Sequence, residues 1–238
     1  MQEPAPEPKA AAREPVFFLP KIIVAAIGIC AGLYALEAYV LSERADALLL
    51  NFMAFVPARF AAVSLWSPLE FARAAVTCSL LHASFAHLAV NMIWLAAFGA
   101  PLAQRLGGWR FAAFWAFTAF AATALHYVTH LGDASPLVGA SGVVSGAMGA
   151  AARFGFAASD GSGARAFRGA PLTLSEAARS RSVMTFVLVW ALVNFISGAG
   201  VINMGQGSAS IAWQAHVGGF LAGFFGLRLF DRRVPQQG

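Results

Sequence analysis

Gly139-Ala140-Ser141-Gly142-Val143-Val144-Ser145-Gly146-Ala147-Met148-Gly149-Ala150 is the stretch on which the reading of this chain turns. A run of small, apolar residues opens on a serine hydroxyl. A later apolar run, Ala215-His216-Val217-Gly218-Gly219-Phe220-Leu221-Ala222-Gly223, carries one histidine among glycines. Polar and ionisable groups are costly inside a membrane span, and where they occur they usually have a task. A serine becomes a nucleophile beside a base, most often histidine. The first thing to establish is whether the two groups share a depth and a neighbourhood.

Composition sets the medium. Of 238 residues, 59% are hydrophobic and 11% charged, and the mean hydropathy is +0.67. A soluble domain carries about 25% charge. The chain therefore reads as an all-α polytopic membrane protein. Cys30 and Cys78 make neither a disulfide framework nor a metal quartet, and no metal or cofactor is expected.

A bilayer core of about 30 Å takes roughly 20 apolar residues per helix. Such stretches lie at 20–41, 82–103, 109–130, 140–157, 182–199 and 209–229, so six spans are expected. Of the 16 Lys and Arg, only Arg44, Arg59 and Arg73 fall on one side. The rest fall on the other, which places both termini in the cytoplasm. Orientation thus accounts for the net charge of +5, and nucleic acid is not an expected partner. Residues 1–17, rich in Pro, Ala and Glu, read as a disordered cytoplasmic tail. Residues 18–230 read as one membrane domain and 231–238 as a short cytoplasmic tail. A cleaved signal peptide is not expected, because the first apolar run is too long for one and follows a long acidic tail. The long outer loop, 42–81, holds Phe52, Phe55, Phe60, Trp66 and Phe71. It lies in the membrane interface or forms a small packed outer subdomain. The inner loop, 158–181, reads as a solvated connector. The outer loop 200–208, with three glycines, reads as mobile.

With this orientation, spans 2, 4 and 6 all run from outside to inside. His82, His87 and Asn91 fall early in span 2, and Ser141 opens span 4. His216 falls about 10 Å into span 6 at 1.5 Å per residue. All five share the outer half of the membrane. Gly142, Gly146 and Ala150 on span 4, and Gly219 and Gly223 on span 6, repeat at the spacing that lets helix backbones approach closely. His216 shares the face of Gly219 and Gly223, so packing that face on span 4 brings it towards Ser141. His87 and Asn91, four apart on one face, are donors suited to a developing oxyanion. Ser141 at a helix N-terminus adds unpaired N–H groups. The only acids in reach, Glu37 in span 1 and Asp133 in an outer loop, are poorly placed. A Ser–His dyad is therefore expected instead of a triad.

Other polar residues read more plainly. Ser145 shares the face of Ser141 and reads as packing, with a supporting role as the alternative. His82 ties the outer loop to the bundle or supports the site. His126 and His130, four apart near the outer end of span 3, could hold a metal, but interfacial hydrogen bonding is the expected reading. Phe186 and Trp190 on span 5 are bulk or part of a substrate entrance.

Taken together, His82-Ala83-Ser84-Phe85-Ala86-His87-Leu88-Ala89-Val90-Asn91-Met92, then Gly139-Ala140-Ser141-Gly142, then Ala215 to Gly223 resemble the rhomboid family of intramembrane serine proteases, with motifs in family order over about 70–230. The resemblance implies Ser141 as nucleophile and His216 as general base. It implies His87, Asn91 and the Gly139 loop as the oxyanion hole. It also implies single-span membrane proteins as substrates, cut near the outer face, and span 5 with loop 200–208 as gate and cap. A bacterial inner membrane is the expected location. The alternative is a non-catalytic relative that binds and escorts membrane proteins, though such relatives typically lack the serine or the histidine. Two departures stand out. Many members have an aromatic residue at the position of Ser145, stacked on the histidine, so here another group must orient His216. Many also carry Trp-Arg where this chain has Ala72-Arg73.

Overall fold

The computed structural model describes residues 19–61, 68–154, 167, 169–199 and 212–232. It is all helical among these residues, apart from one antiparallel bridge between Phe55 and Leu137. Four helices are long and apolar enough to cross a membrane. They are α1 (Lys21–Tyr39), the helix Phe85–Leu106, α7 (Gly108–Thr129) and α10 (Arg181–Gly198). The second of these comprises α5 (Phe85–Trp94), a wide π-helical turn at Leu95–Gly99, and α6 (Ala100–Leu106). α8 (Ser141–Ala152) is apolar but shorter. α11 (Trp213–Phe230) contains Gln214, His216, Arg228 and four glycines, which dilute its hydropathy.

α8 is the axis of the molecule. From Gly142 to Ala152 every residue except Met148 is buried. Its small side chains let neighbours touch its backbone. A Cβ at Gly219 or Gly223 of α11 would overlap the carbonyl oxygen of Gly142 or Gly146. On the α7 side, a Cβ at Gly142 would stand 2.5 Å from Ala122 Cβ, and one at Gly146 would stand 2.6 Å from Thr118 Cγ2. α7, α8 and α11 thus form a close-packed trio of the kind small residues permit. The main apolar core spreads from it through Leu95, Leu102, Phe111, Phe114, Val143 and Leu227 to Ile23 and Cys30 of α1.

The described residues between α1 and α5 form a packed subdomain. α2 (Glu43–Met53), capped by Ser42, is followed by α3 (Pro57–Ala61) and α4 (Pro68–Thr77). Phe55, Phe60 and Phe71 stack together and against Tyr127 of α7, whose hydroxyl donates to the Phe60 carbonyl at 2.8 Å. Arg73 lies 4.0 Å above the Phe52 ring.

Two arginines bind the end of the bundle away from Ser141. Arg105 pairs with Asp231 at 2.6 Å, both side chains almost fully buried, and also donates to the carbonyls of Phe167 and Gly169. Arg153 is 2% exposed and donates to the carbonyls of Leu172 and Phe224. Its backbone N–H closes the end of α8 on the Ala150 and Ala151 carbonyls, and that helix ends at Ala152, short of the expected 157. The described part of the inner connector is ordered by these contacts. It also contains a short helix, α9 (Leu174–Arg179), started by a Thr173–Glu176 capping box. Thr173 holds the Glu176 carboxyl below the usual carboxylate range. The tail 1–17 and the loop 200–208 lie outside the described residues.

Candidate active site

Ser141 is the first residue of α8, after Ala140 at the N-cap. No side chain caps the helix, so the backbone N–H groups of its first turn face outward without intrahelical partners. Ser141 Oγ lies 2.8 Å from His216 Nε2. The helix contact explains the distance: Gly219, one turn inward from His216, rests on the backbone of Gly142.

The other nitrogen of His216 is also engaged. Nδ1 lies 2.6 Å from Oδ1 of Asn194 on α10. The Asn194 amide group in turn donates to the Trp190 carbonyl at 3.0 Å. An amide oxygen only accepts, so this contact suits a proton on Nδ1, the tautomer in which Nε2 can accept from Ser141. Asn194 was not among the sequence candidates, which sought an acid beside the histidine. Its available signal was a lone amide in an otherwise apolar span. Neither Glu37 nor Asp133 occupies a ring nitrogen of His216. Asp133 accepts the Ser135 N–H at 2.8 Å, which holds its carboxyl below the usual range.

His87 and Asn91 sit one turn apart on α5, buried, on the other side of Ser141. Ser84 caps this helix by accepting the His87 N–H at 3.1 Å. Asn91 donates to the His87 carbonyl at 3.0 Å, leaving a second amide hydrogen. Gly139 closes against both side chains with φ of 122°, a conformation that favours glycine, and its N–H donates to the Cys78 carbonyl at 2.9 Å. His82 is buried behind the loop, where its Nε2 accepts the Ala140 N–H at 3.5 Å. It also packs on the His87 ring with centroids 5.2 Å apart.

Ser141, His216, His87, Asn91, Ser145 and Asn194 line one cavity of about 310 Å³. Apart from Ser197 its remaining wall is apolar, built from α5, α8 and α10, and it runs from Ser141 past Trp94, Met148 and Trp190 to Phe98 and Phe186. Ser145 is buried, one turn inward of Ser141. His126 and His130 stand apart from this cavity, stacked on each other at 4.2 Å, with His130 Nδ1 2.9 Å from Thr129 Oγ1. Among the described residues no three His, Cys, Asp or Glu side chains are grouped to hold a metal ion.

The described site chemically comprises a serine hydroxyl bonded to an imidazole, with amide and imidazole groups opposite, at the head of an apolar cleft. No curated protein matches this chain. A family model described as the Rhomboid domain matches residues 68–232, a segment that contains all of these groups. The chain belongs to the rhomboid family.

Proposed function

We propose that this protein is an intramembrane serine endopeptidase that hydrolyses peptide bonds of single-span membrane proteins near the outer membrane face. The observation that carries the reading is the 2.8 Å contact between Ser141 Oγ and His216 Nε2 at the wall of an apolar cavity. His216 takes the Ser141 proton on Nε2 as Oγ attacks the scissile carbonyl carbon. The resulting oxyanion faces His87, Asn91 and the N–H of Ser141, donors arranged before charge develops. Collapse breaks the C–N bond, and His216 returns its proton to the leaving amine. Water then attacks the acyl-enzyme by the same route and frees Ser141.

Residues 18–230 form one six-span domain in this reading, with α8 and α11 completing the set and both termini cytoplasmic. The asymmetry of Lys and Arg supports that orientation, and the location is a bacterial inner membrane. The cavity between α5 and α10 would admit the substrate segment laterally. A non-catalytic escort protein would need neither the serine–imidazole bond nor the donors opposite it.

The test is cleavage of a labelled single-span substrate by purified protein in lipid, beside Ser141→Ala and His216→Ala. Both variants should be inactive. Undiminished cleavage by either removes the dyad assignment, and a fluorophosphonate that labels Ser145 in preference to Ser141 removes the choice of nucleophile.

A further inference from the structure

α10 is assembled unlike the other long helices. Of its 18 residues only Val183, Asn194 and Ser197 are buried, so two of the three side chains it turns fully into the bundle are polar. Leu188, Leu192 and Phe195 are more than half exposed and face the surrounding medium. An amide taken into an apolar bundle is costly unless its donors and acceptor are used. Asn194 uses both ends. The Trp190 carbonyl takes one amide hydrogen and so fixes which end is oxygen, and Oδ1 meets His216 Nδ1 at 2.6 Å. The helix turn thereby converts a freely rotating amide into an acceptor with one direction.

We infer that Asn194 is a positioning residue, holding His216 as the Nδ1–H tautomer with Nε2 aimed at Ser141. The inference rests on the function proposed above and identifies what orients the base. A neutral imidazole has two tautomers, and only the one with a bare Nε2 can accept the serine proton. Without a partner at Nδ1 the ring can hold either tautomer and rotate about its side-chain bonds. Ser145 is too small to stack on the ring, so the hydrogen bond supplies the restraint.

The position of Asn194 in the chain adds a second consequence. Ser141 and His216 belong to α8 and α11, whose backbones touch, whereas Asn194 rides on α10. That helix meets the bundle through Trp190 stacked on Phe220 at 4.1 Å, Gly198 against Trp213 and Val183 in a cluster with Ala152. His216 therefore has its Nδ1 partner only while α10 is docked. A segment that enters by displacing α10 must let it return before the serine is deprotonated.

The test compares wild type, Asn194→Ala and Asn194→Asp in lipid, by three readouts. These are kcat and KM for the labelled single-span substrate, the rate of fluorophosphonate labelling of Ser141, and ¹⁵N NMR of histidine-labelled protein. The wild-type spectrum should show His216 protonated at Nδ1. Asn194→Ala should lower kcat about 10- to 100-fold, by analogy with the loss of a partner that orients a metal-bound histidine, with KM within about twofold. Labelling should slow in parallel, and the tautomer signal should become mixed. Asn194→Asp keeps an acceptor at the same place and should recover much of the rate. Wild-type kcat in Asn194→Ala overturns the inference, as does a raised KM at unchanged kcat, which would make Asn194 only a wall of the cavity. An Nε2–H signal in the wild type overturns it even if Asn194→Ala fails to fold. If the wild type neither cleaves nor labels, the proposed function has failed, and the spectrum still decides the role of Asn194.

Discussion

The His87 imidazole rests against the α-carbon of Gly139. A Cβ built at residue 139 would stand 2.7 Å from His87 Cε1 and 2.8 Å from its Nε2. The glycine is therefore required twice, once by its φ of 122° and once by the ring beside it. Gly139→Ala should push His87 and the loop before Ser141 apart. Turnover should fall at least about 100-fold, the typical cost of losing one oxyanion donor, and the strained backbone should lower stability by about 1–3 kcal/mol. Substrate cleavage and melting temperature measured together check this, and wild-type turnover would remove His87 from the oxyanion site.

The trio of α7, α8 and α11 yields a graded series. Gly219→Ala and Gly223→Ala place a methyl on backbone carbonyls that cannot swing aside, and each should cost about 1–3 kcal/mol or more. Gly226→Ala meets only the ring edge of Phe117, which can move, and should cost less. Gly28→Ala and Gly32→Ala on α1 enter open space and should be neutral or stabilising. Thermal unfolding of the five variants in one detergent checks the order.

The buried pair at the inner end predicts an asymmetry. Asp231→Ala leaves the Arg105 guanidinium uncompensated and should destabilise by about 3–5 kcal/mol. Asp231→Asn retains an acceptor for Arg105 and should cost less. Ser141 labelling of the protein that remains folded should be unchanged, since this end lies away from the site. An Asp231→Ala melting curve overlaying wild type would show that the pair contributes nothing.

The cap on α5 couples stability to chemistry. Ser84→Ala removes the acceptor of the His87 N–H and should cost about 1 kcal/mol, while Ser84→Gly should cost only a few tenths. The same turn carries His87, so the rate should track the cap across the two variants. Equal rates for Ala and Gly would uncouple the cap from the site.

The close approach of α8 and α11 was legible in the sequence, because glycine every fourth residue has one simple structural consequence. The grouping of His87 and Asn91 was legible as an i, i+4 pair. The inner arginines were legible only as markers of a membrane face. Nothing in their spacing told that Arg105 and Arg153 would be buried, because their partners include backbone carbonyls of Phe167, Leu172 and Phe224. Asn194 escaped for a related reason. A search for a third group beside histidine looks for negative charge, whereas a neutral amide serves if a neighbouring carbonyl fixes its orientation. The packing of residues 42–81 was not legible, because the Phe55–Phe60–Phe71–Tyr127 cluster draws its members from distant parts of the chain.

The backbone contact between Gly142 and Gly219 reaches beyond packing density. The register of Ser141 against His216 along their helices is keyed by main-chain atoms, which leaves the Asn194 amide to set only the direction of the ring. Bilayers of different thickness tilt helices to match their hydrocarbon depth, and they must tilt α8 and α11 as one piece. Drift in the surrounding apolar residues, or a change of host lipid, can reshape the cleft while Ser141 and His216 keep their relative place along the two helices. Selection is thus free to retune what enters the cavity without rebuilding the chemistry at its head.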